Sequence, residues 1–163
     1  MALKIIKFPN PTLRKKAKEV KKVTAEIRKL IGGMVAAMHK APGVGLAAPQ
    51  VGKSLRIIVV DVGEGPYAVI NPVIIKNSGT QIFKEGCLSL PGVEAPVERS
   101  AFITLRGLNC EGSEEIITAE GFLATVFQHE IDHLEGTVFI DRVKDPSQIK
   151  YIQPSREKRD ARI

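Results

Sequence analysis

The chain has 163 residues, 44% of them hydrophobic and 26% charged, with a net charge of +6. That length holds one domain with a proper core and is too short for two ordinary ones, and the composition excludes disordered and fibrous classes. No apolar run approaches the roughly 20 residues of a membrane span, and residues 1–10 lack the apolar stretch of a signal peptide, so no membrane partner is expected.

Residues 1–22 carry eight Lys/Arg against one Glu, and residues 143–163 carry six against three acids, so the segment between them is net acidic. The basic ends read as solvated faces, or more sharply as contacts for a polyanion such as RNA. Only Tyr151 interleaves with these charges, so base stacking is unsupported and no DNA partner is expected.

In chain order, Pro9-Asn10-Pro11 gives a turn, and the basic stretch Thr12 to Lys22 is expected to run over the surface. Thr24 is a plausible N-cap for an amphipathic helix in which Ile27, Leu30, Ile31, Met34, Val35 and Met38 follow helical spacing. Gly32-Gly33 in its middle costs about 1 kcal/mol per glycine, which close packing would explain. His39, in its last turn, reads as a solvated residue near the helix C-terminus. Gly43 to Gln50 (GVGLAAPQ) is a loop of small residues closed by an amide; it reads as a tight bend or as main chain pressed against a ligand, and it lacks the pattern of a phosphate loop.

Leu55 to Val62 is a buried strand by its β-branched run. A short strand is expected over Val73 to Lys76, between turns at Asn71-Pro72 and Asn77-Ser78-Gly79. Gln81 to Phe83 leads into Glu85 to Ser89 (EGCLS), a stretch ended by Pro91-Gly92. Phe102 to Leu108 and Glu114 to Ala119 form a hairpin with Cys110 in its exposed turn. Thr137 to Val143 reads as a last strand, and from Lys144 onward two prolines interrupt a polar, basic tail. The division is a single catalytic domain over 1–146 and a basic C-terminal tail over 147–163.

The stretch that organises the chain is Gln128 to Gly136 (QHEIDHLEG). Phe122, Val126, His129 and His133 recur at steps of four, three and four, which puts them on one helix face, and Leu123, Phe127, Glu130 and Leu134 form a second stripe. With two apolar faces this helix should be buried, ending at Gly136 as a left-handed cap. His129 and His133 stand one turn apart, the HExxH spacing that lets two imidazoles ligate one metal ion beside Glu130. Alone, HExxH is a weak signal. Burial strengthens it, because two imidazoles and a carboxylate among Phe, Val and Leu are costly unless something pairs with them. A catalytic site needs a third ligand and an open position; Glu135, Asp141 and Asp145 downstream and Cys87 upstream are candidates that spacing does not separate. An HExxH metallopeptidase with a downstream acidic ligand is therefore the alternative reading.

The stretches GVGLAAPQ, EGCLS and QHEIDHLEG, in that order and at these separations, resemble the three signature motifs of the peptide deformylases, and the likeness extends to Pro11 to Arg14. It implies an α+β fold in which antiparallel strands surround the buried helix carrying HExxH, with the amphipathic helix N-terminal to it. It implies a mononuclear site of Cys87, His129 and His133 holding Fe(2+), with Zn(2+), Ni(2+) or Co(2+) as substitutes. Glu130 would be general base and acid, and Gln50 with the Leu88 N–H would stabilise the oxyanion. The implied reaction removes the formyl group from N-formylmethionine on nascent polypeptides. Val44, Phe122 and Val126 are expected to form the slot for the methionine side chain, with Gly45 hydrogen-bonding the peptide backbone. Lys150, Arg156, Lys158, Arg159 and Arg162 are expected to contact the ribosome.

Overall fold

In a computed structural model of the chain, residues 2–152 are described. Thr24 caps helix α1 (Ala25–Lys40), its hydroxyl accepting from the Ile27 N–H at 3.3 Å, and Ile31, Met34 and Met38 form the buried stripe that the periodicity requires. Strands β1 (Gly45–Ala47), β2 (Ile57–Val60) and β3 (Tyr67–Ser78) follow. Next come β4 (Gln81–Cys87) and β5 (Leu90–Arg99), then the hairpin of β6 (Phe102–Leu108) and β7 (Glu114–Glu120). Helix α2 (Gly121–Leu134) follows, and a two-residue strand, β8 (Lys150–Tyr151), closes the described chain.

The strands pair antiparallel in two sheets, ordered β1-β2-β3-β6-β7 and β4-β5-β8. Strand β2 is buried throughout because helices cover both of its faces. Ile58 and Val60 join Val126, Phe127 and Leu134 of α2 in one core cluster, whereas Ile57 and Val59 join Ile31, Met34 and Met38 of α1 in another. This is the period-two alternation of a strand serving two layers. A third cluster packs Cys87, Leu90, Ala95 and Val97 of the smaller sheet against Val138 and Phe139, just beyond α2. The result is an α+β fold of antiparallel sheets and two helices.

Several local expectations are corrected. Thr137 to Val143 is no strand: Phe139–Arg142 is a 3-10 turn. Val138 and Phe139 are consecutive and both buried, and the Asp141 carboxylate accepts from the Val138 N–H at 3.0 Å, which closes the turn. The basic stretch after Pro11 is anchored rather than wholly superficial, since Leu13, Ala17 and Val20 are buried. The Ala17 N–H donates to the Leu134 carbonyl at 2.8 Å and the Lys18 N–H to that of Ser54 at 2.9 Å.

Asn71-Pro72 does not end a strand but bulges one. Asn71 adopts φ +53°, and its side-chain amide bonds both the N–H and the carbonyl of Val20 at 2.8 Å, so β3 runs on through the register shift. Pro91-Gly92 likewise lies inside β5. Of the paired helical glycines, Gly33 meets the Leu3 side chain closely and Gly32 faces open space, so packing accounts for only one. Cys110 is half-buried, against the α1 core. His39 is half-exposed as expected, and bonds Asp61 at 2.8 Å. The first part of the tail, at Lys150–Tyr151, pairs with β5; residues 153–163, with Arg156, Lys158, Arg159 and Arg162, lie outside the described residues.

Candidate metal centre

Helix α2 is fixed along its length by side chains from elsewhere. Gln128 bonds both the N–H and the carbonyl of Ser100, at 3.1 and 2.9 Å, pinning the helix to the β5–β6 connection. At its end the Leu134 carbonyl accepts from Arg56 Nη1 at 3.1 Å and from the Ala17 N–H, satisfying a group that a helix terminus leaves open. Gly136, at φ +78°, turns the chain away. A side chain there would strike the Arg14 backbone.

The face so held carries His129 and His133, both buried, with ring centroids 5.1 Å apart. Cys87 is delivered by the end of β4, and its Sγ lies 3.3 Å from His133 Nε2. One ligand atom from each of Cys87, His129 and His133 falls within 4.8 Å of the others, the metal-binding group found among the described residues. The downstream acids are engaged elsewhere: Glu135 with Arg56 and Lys16, Asp141 with Arg14, and Asp145 as a cap on Ser147. Of the four candidate third ligands, Cys87 is the one whose ligand atom lies beside the two imidazoles.

The residues present fit a cation. Among the described residues, His129 Nε2 and both carboxylate oxygens of Glu130 are buried without a hydrogen-bond partner, each costing about 1–3 kcal/mol if left so. Burial, and then the charge of Glu85, pushes the Glu130 carboxyl well above its usual range. Burial, and then Glu130, raises the Cys87 thiol. Burial, and then His129 and Arg99, lowers His133 well below the usual imidazole value. A divalent ion would reverse the penalty on the thiolate and give the neutral imidazoles a partner.

Glu85 supplies what the HExxH pattern does not. Its Oε1 lies 2.9 Å from His129 Nδ1, leaving Nε2 free toward Cys87 and His133. Burial, the largest influence, favours its neutral form, but the hydrogen bonds and charges of His129 and Arg99 together outweigh it and keep the carboxyl below the usual range. Phe139 stacks on the same imidazole at 5.9 Å. Asp132, between Glu130 and His133, is buried and engages Arg99 and Arg142 rather than an imidazole. Glu85 belongs to the EGCLS stretch, whose pattern alone gives it no role, and nothing local in the sequence marks Arg99 as buried.

Gln50 is fully buried beside the cluster. Its Oε1 accepts from the Ala47 N–H at 2.9 Å, which turns Nε2 toward Ser89 Oγ (3.1 Å) and Cys87 Sγ (3.6 Å). Leu88 is buried next to the sulfur. The N-terminal segment ties these pieces together: the Ile6 N–H donates to the Gln50 carbonyl (2.7 Å), the Phe8 N–H to that of Ser89 (2.8 Å) and Lys7 Nζ to that of Leu88 (3.1 Å). Gly45, on edge strand β1, lies against Glu130, whose carboxylate occupies the space of any side chain at that position. Val44 and Phe122 are half-buried, and Val126 is wholly enclosed in the core.

Comparison with known proteins gives the family. The model of the polypeptide deformylase family matches residues 2–148. The peptide deformylase of Halothermothrix orenii is 55% identical over 143 residues, spanning 86% of this chain and 93% of that protein. That of Desulfitobacterium hafniense is 48% identical over 143 residues, spanning 88% and 95%. Among solved structures, the peptide deformylase from Thermotoga maritima superposes with a TM-score of 0.87 at 45% identity, covering 89% of this chain and 99% of that one. With a family match over nearly all the described residues and relatives near half-identity, the chain belongs to the peptide deformylases, hydrolases acting on the amide of N-formylmethionine.

Proposed function

We propose that this chain removes the formyl group from the N-terminal methionine of nascent polypeptides, releasing formate, with one divalent ion held by Cys87, His129 and His133. The observation that carries this reading is the buried convergence of a sulfur and two imidazoles next to a carboxylate with no partner of its own. A thiolate in the ligand set makes a softer centre than three imidazoles would, and Fe(2+) is the ion we assign, as the likeness to the family implies, with Zn(2+), Ni(2+) or Co(2+) able to replace it. Such an ion supplies Lewis acidity toward the formyl carbonyl and toward water.

The remaining work falls to side chains. Glu130, whose environment raises its proton affinity, takes the proton of the attacking water and returns it to the departing amine, without which the C–N bond would not break. Gln50 Nε2, aimed by the Ala47 N–H, and the Leu88 N–H donate to the carbonyl oxygen as negative charge grows there. Glu85 holds the imidazole of His129 in one orientation. Among the described residues strand β1 pairs on one side only, so the peptide backbone can add to its free edge at Gly45 while the methionine side chain enters beside Val44 and Phe122, with the enclosed Val126 behind them. Ribosome contact through Lys150 and the basic residues after it, in the cytoplasm or an organelle, completes the reading.

Formate release from a formyl-methionyl peptide, by protein purified without oxygen, tests the proposal. Release at metal-dependent rates, absent in Glu130→Gln, supports it. Cleavage of an internal peptide bond without formate would favour the metallopeptidase reading and remove this one.

A further inference from the structure

The Asp132 carboxylate is held by two guanidinium groups from different parts of the chain. Arg99 Nη1 donates to Oδ2 at 2.8 Å, while Arg142 Nε donates to Oδ2 at 2.5 Å and Nη2 to Oδ1 at 2.8 Å. Arg99 also grips Glu85 through Nε and Nη2, at 2.7 and 2.9 Å, and Glu85 meets His129 Nδ1. These contacts form one unbroken path from solvent to an imidazole of the candidate centre. Arg142 is half-exposed at its outer end, whereas the Arg99 and Glu85 side chains are 3% and 0% exposed.

Charge explains why the outer member matters. Glu85, Arg99 and Asp132 together carry one excess negative charge in a buried setting, and Arg142 cancels it. Without that partner Asp132 would compete with Glu85 for the single Arg99 fork, loosening the grip on the carboxylate that orients His129. The same 3-10 turn, Phe139–Arg142, also lays Phe139 on the face of that imidazole. One short turn therefore restrains His129 twice, through its ring face and through its Nδ1.

We propose that Arg142 is a positioning residue for the metal: by clamping Asp132 it keeps Arg99 on Glu85, and so keeps His129 Nε2 turned toward the ion. This rests on the reading of Cys87, His129 and His133 as ligands. It concerns retention of the ion and not proton transfer.

The test uses the full chain loaded with cobalt, and follows its loss to a chromophoric chelator. Replacing a residue that supports a ligand commonly costs about 10- to 100-fold in metal affinity; Arg142, further out, should sit at or below the lower end, with cobalt lost about three- to tenfold faster in Arg142→Met. Arg142→Lys, which restores charge without the fork, should fall between. Glu85→Gln should lose cobalt faster still. Because the two residues act in series, the double variant should match Glu85→Gln alone, whereas independent sites would multiply their effects. Unchanged cobalt loss in Arg142→Met, multiplied effects in the double variant, or lowered melting of the metal-free protein with no faster loss would each overturn the proposal. A wild-type chain that retains no cobalt would overturn the ligand reading itself, and this inference with it.

Discussion

Replacing Gly45 with alanine adds one methyl group where the structure has room for none. A Cβ at that position would stand 3.0 Å from both Cδ and Cγ of Glu130 and overlap Oε2. Neither partner can yield cheaply. Strand β1 is held in register, Gly45 against Val60, with the Asp61 N–H on the Val44 carbonyl at 2.8 Å, and Glu130 has no exposed surface into which to swing. Restoring ordinary contact requires the carboxylate to retreat by about 1 Å, a misplacement that can cost on the order of 10²-fold in rate. Overpacking of this kind also destabilises by about 1–3 kcal/mol. Gly45→Ala should therefore fold, retain metal and melt somewhat lower, with kcat on a formyl-methionyl dipeptide reduced about 100-fold. Paired measurements of kcat and of metal content check this. Wild-type kcat with full metal content would show that the proximity of Gly45 to Glu130 has no part in catalysis.

Other substitutions separate the roles. Glu130→Gln keeps the shape but cannot carry the proton, so formate release should fall about 10²- to 10⁴-fold while elemental analysis still finds the ion. Phe127→Ala removes a fully buried ring that meets Tyr67 edge-on at 5.3 Å; chemical unfolding should register a loss of about 3–5 kcal/mol. Asp141 gives a pH test. Burial is the largest influence and would raise its carboxyl, but the hydrogen bonds from Arg14 and the Val138 N–H, with the charges of Arg14 and Arg142, together outweigh it and hold the group below the usual range. Its contribution is thus present at neutral pH and is lost as pH falls through that depressed value. Asp141→Asn should be less stable than wild type at pH 7, by about 1 kcal/mol for a half-exposed pair. The difference in urea midpoint should shrink in acid.

Legibility from sequence followed the range of the interactions involved. Helix α1 and the face of α2 bearing His129 and His133 were readable because local periodicity and capping decide them. The β6–β7 hairpin was readable from its turn residues. Thr137 to Val143 was misread because its β-branched and apolar residues resemble a strand, while the interactions that make it a turn come from Asp141 and from burial against the smaller sheet. The length of β3 was hidden by Asn71-Pro72, whose disruption is absorbed through Val20, 51 residues away in sequence. Cys87 could be joined to the histidines only through the resemblance of three motifs, because the spacing of one motif says nothing about a partner 46 residues away. Arg99 had no signal, since a charged residue in a strand normally faces water and only the buried Glu85 and Asp132 beside it reveal otherwise, and Arg142 is tied to the site only through its contact with buried Asp132.

The most direct measurement is anomalous diffraction at the absorption edge of the ion in crystals of the metal-loaded protein. A single peak about 2.3 Å from Cys87 Sγ and about 2.0–2.1 Å from one nitrogen each of His129 and His133 is the expected result. A peak placed instead on Glu135 or Asp141, or one whose fourth position is filled by another side chain, would contradict it.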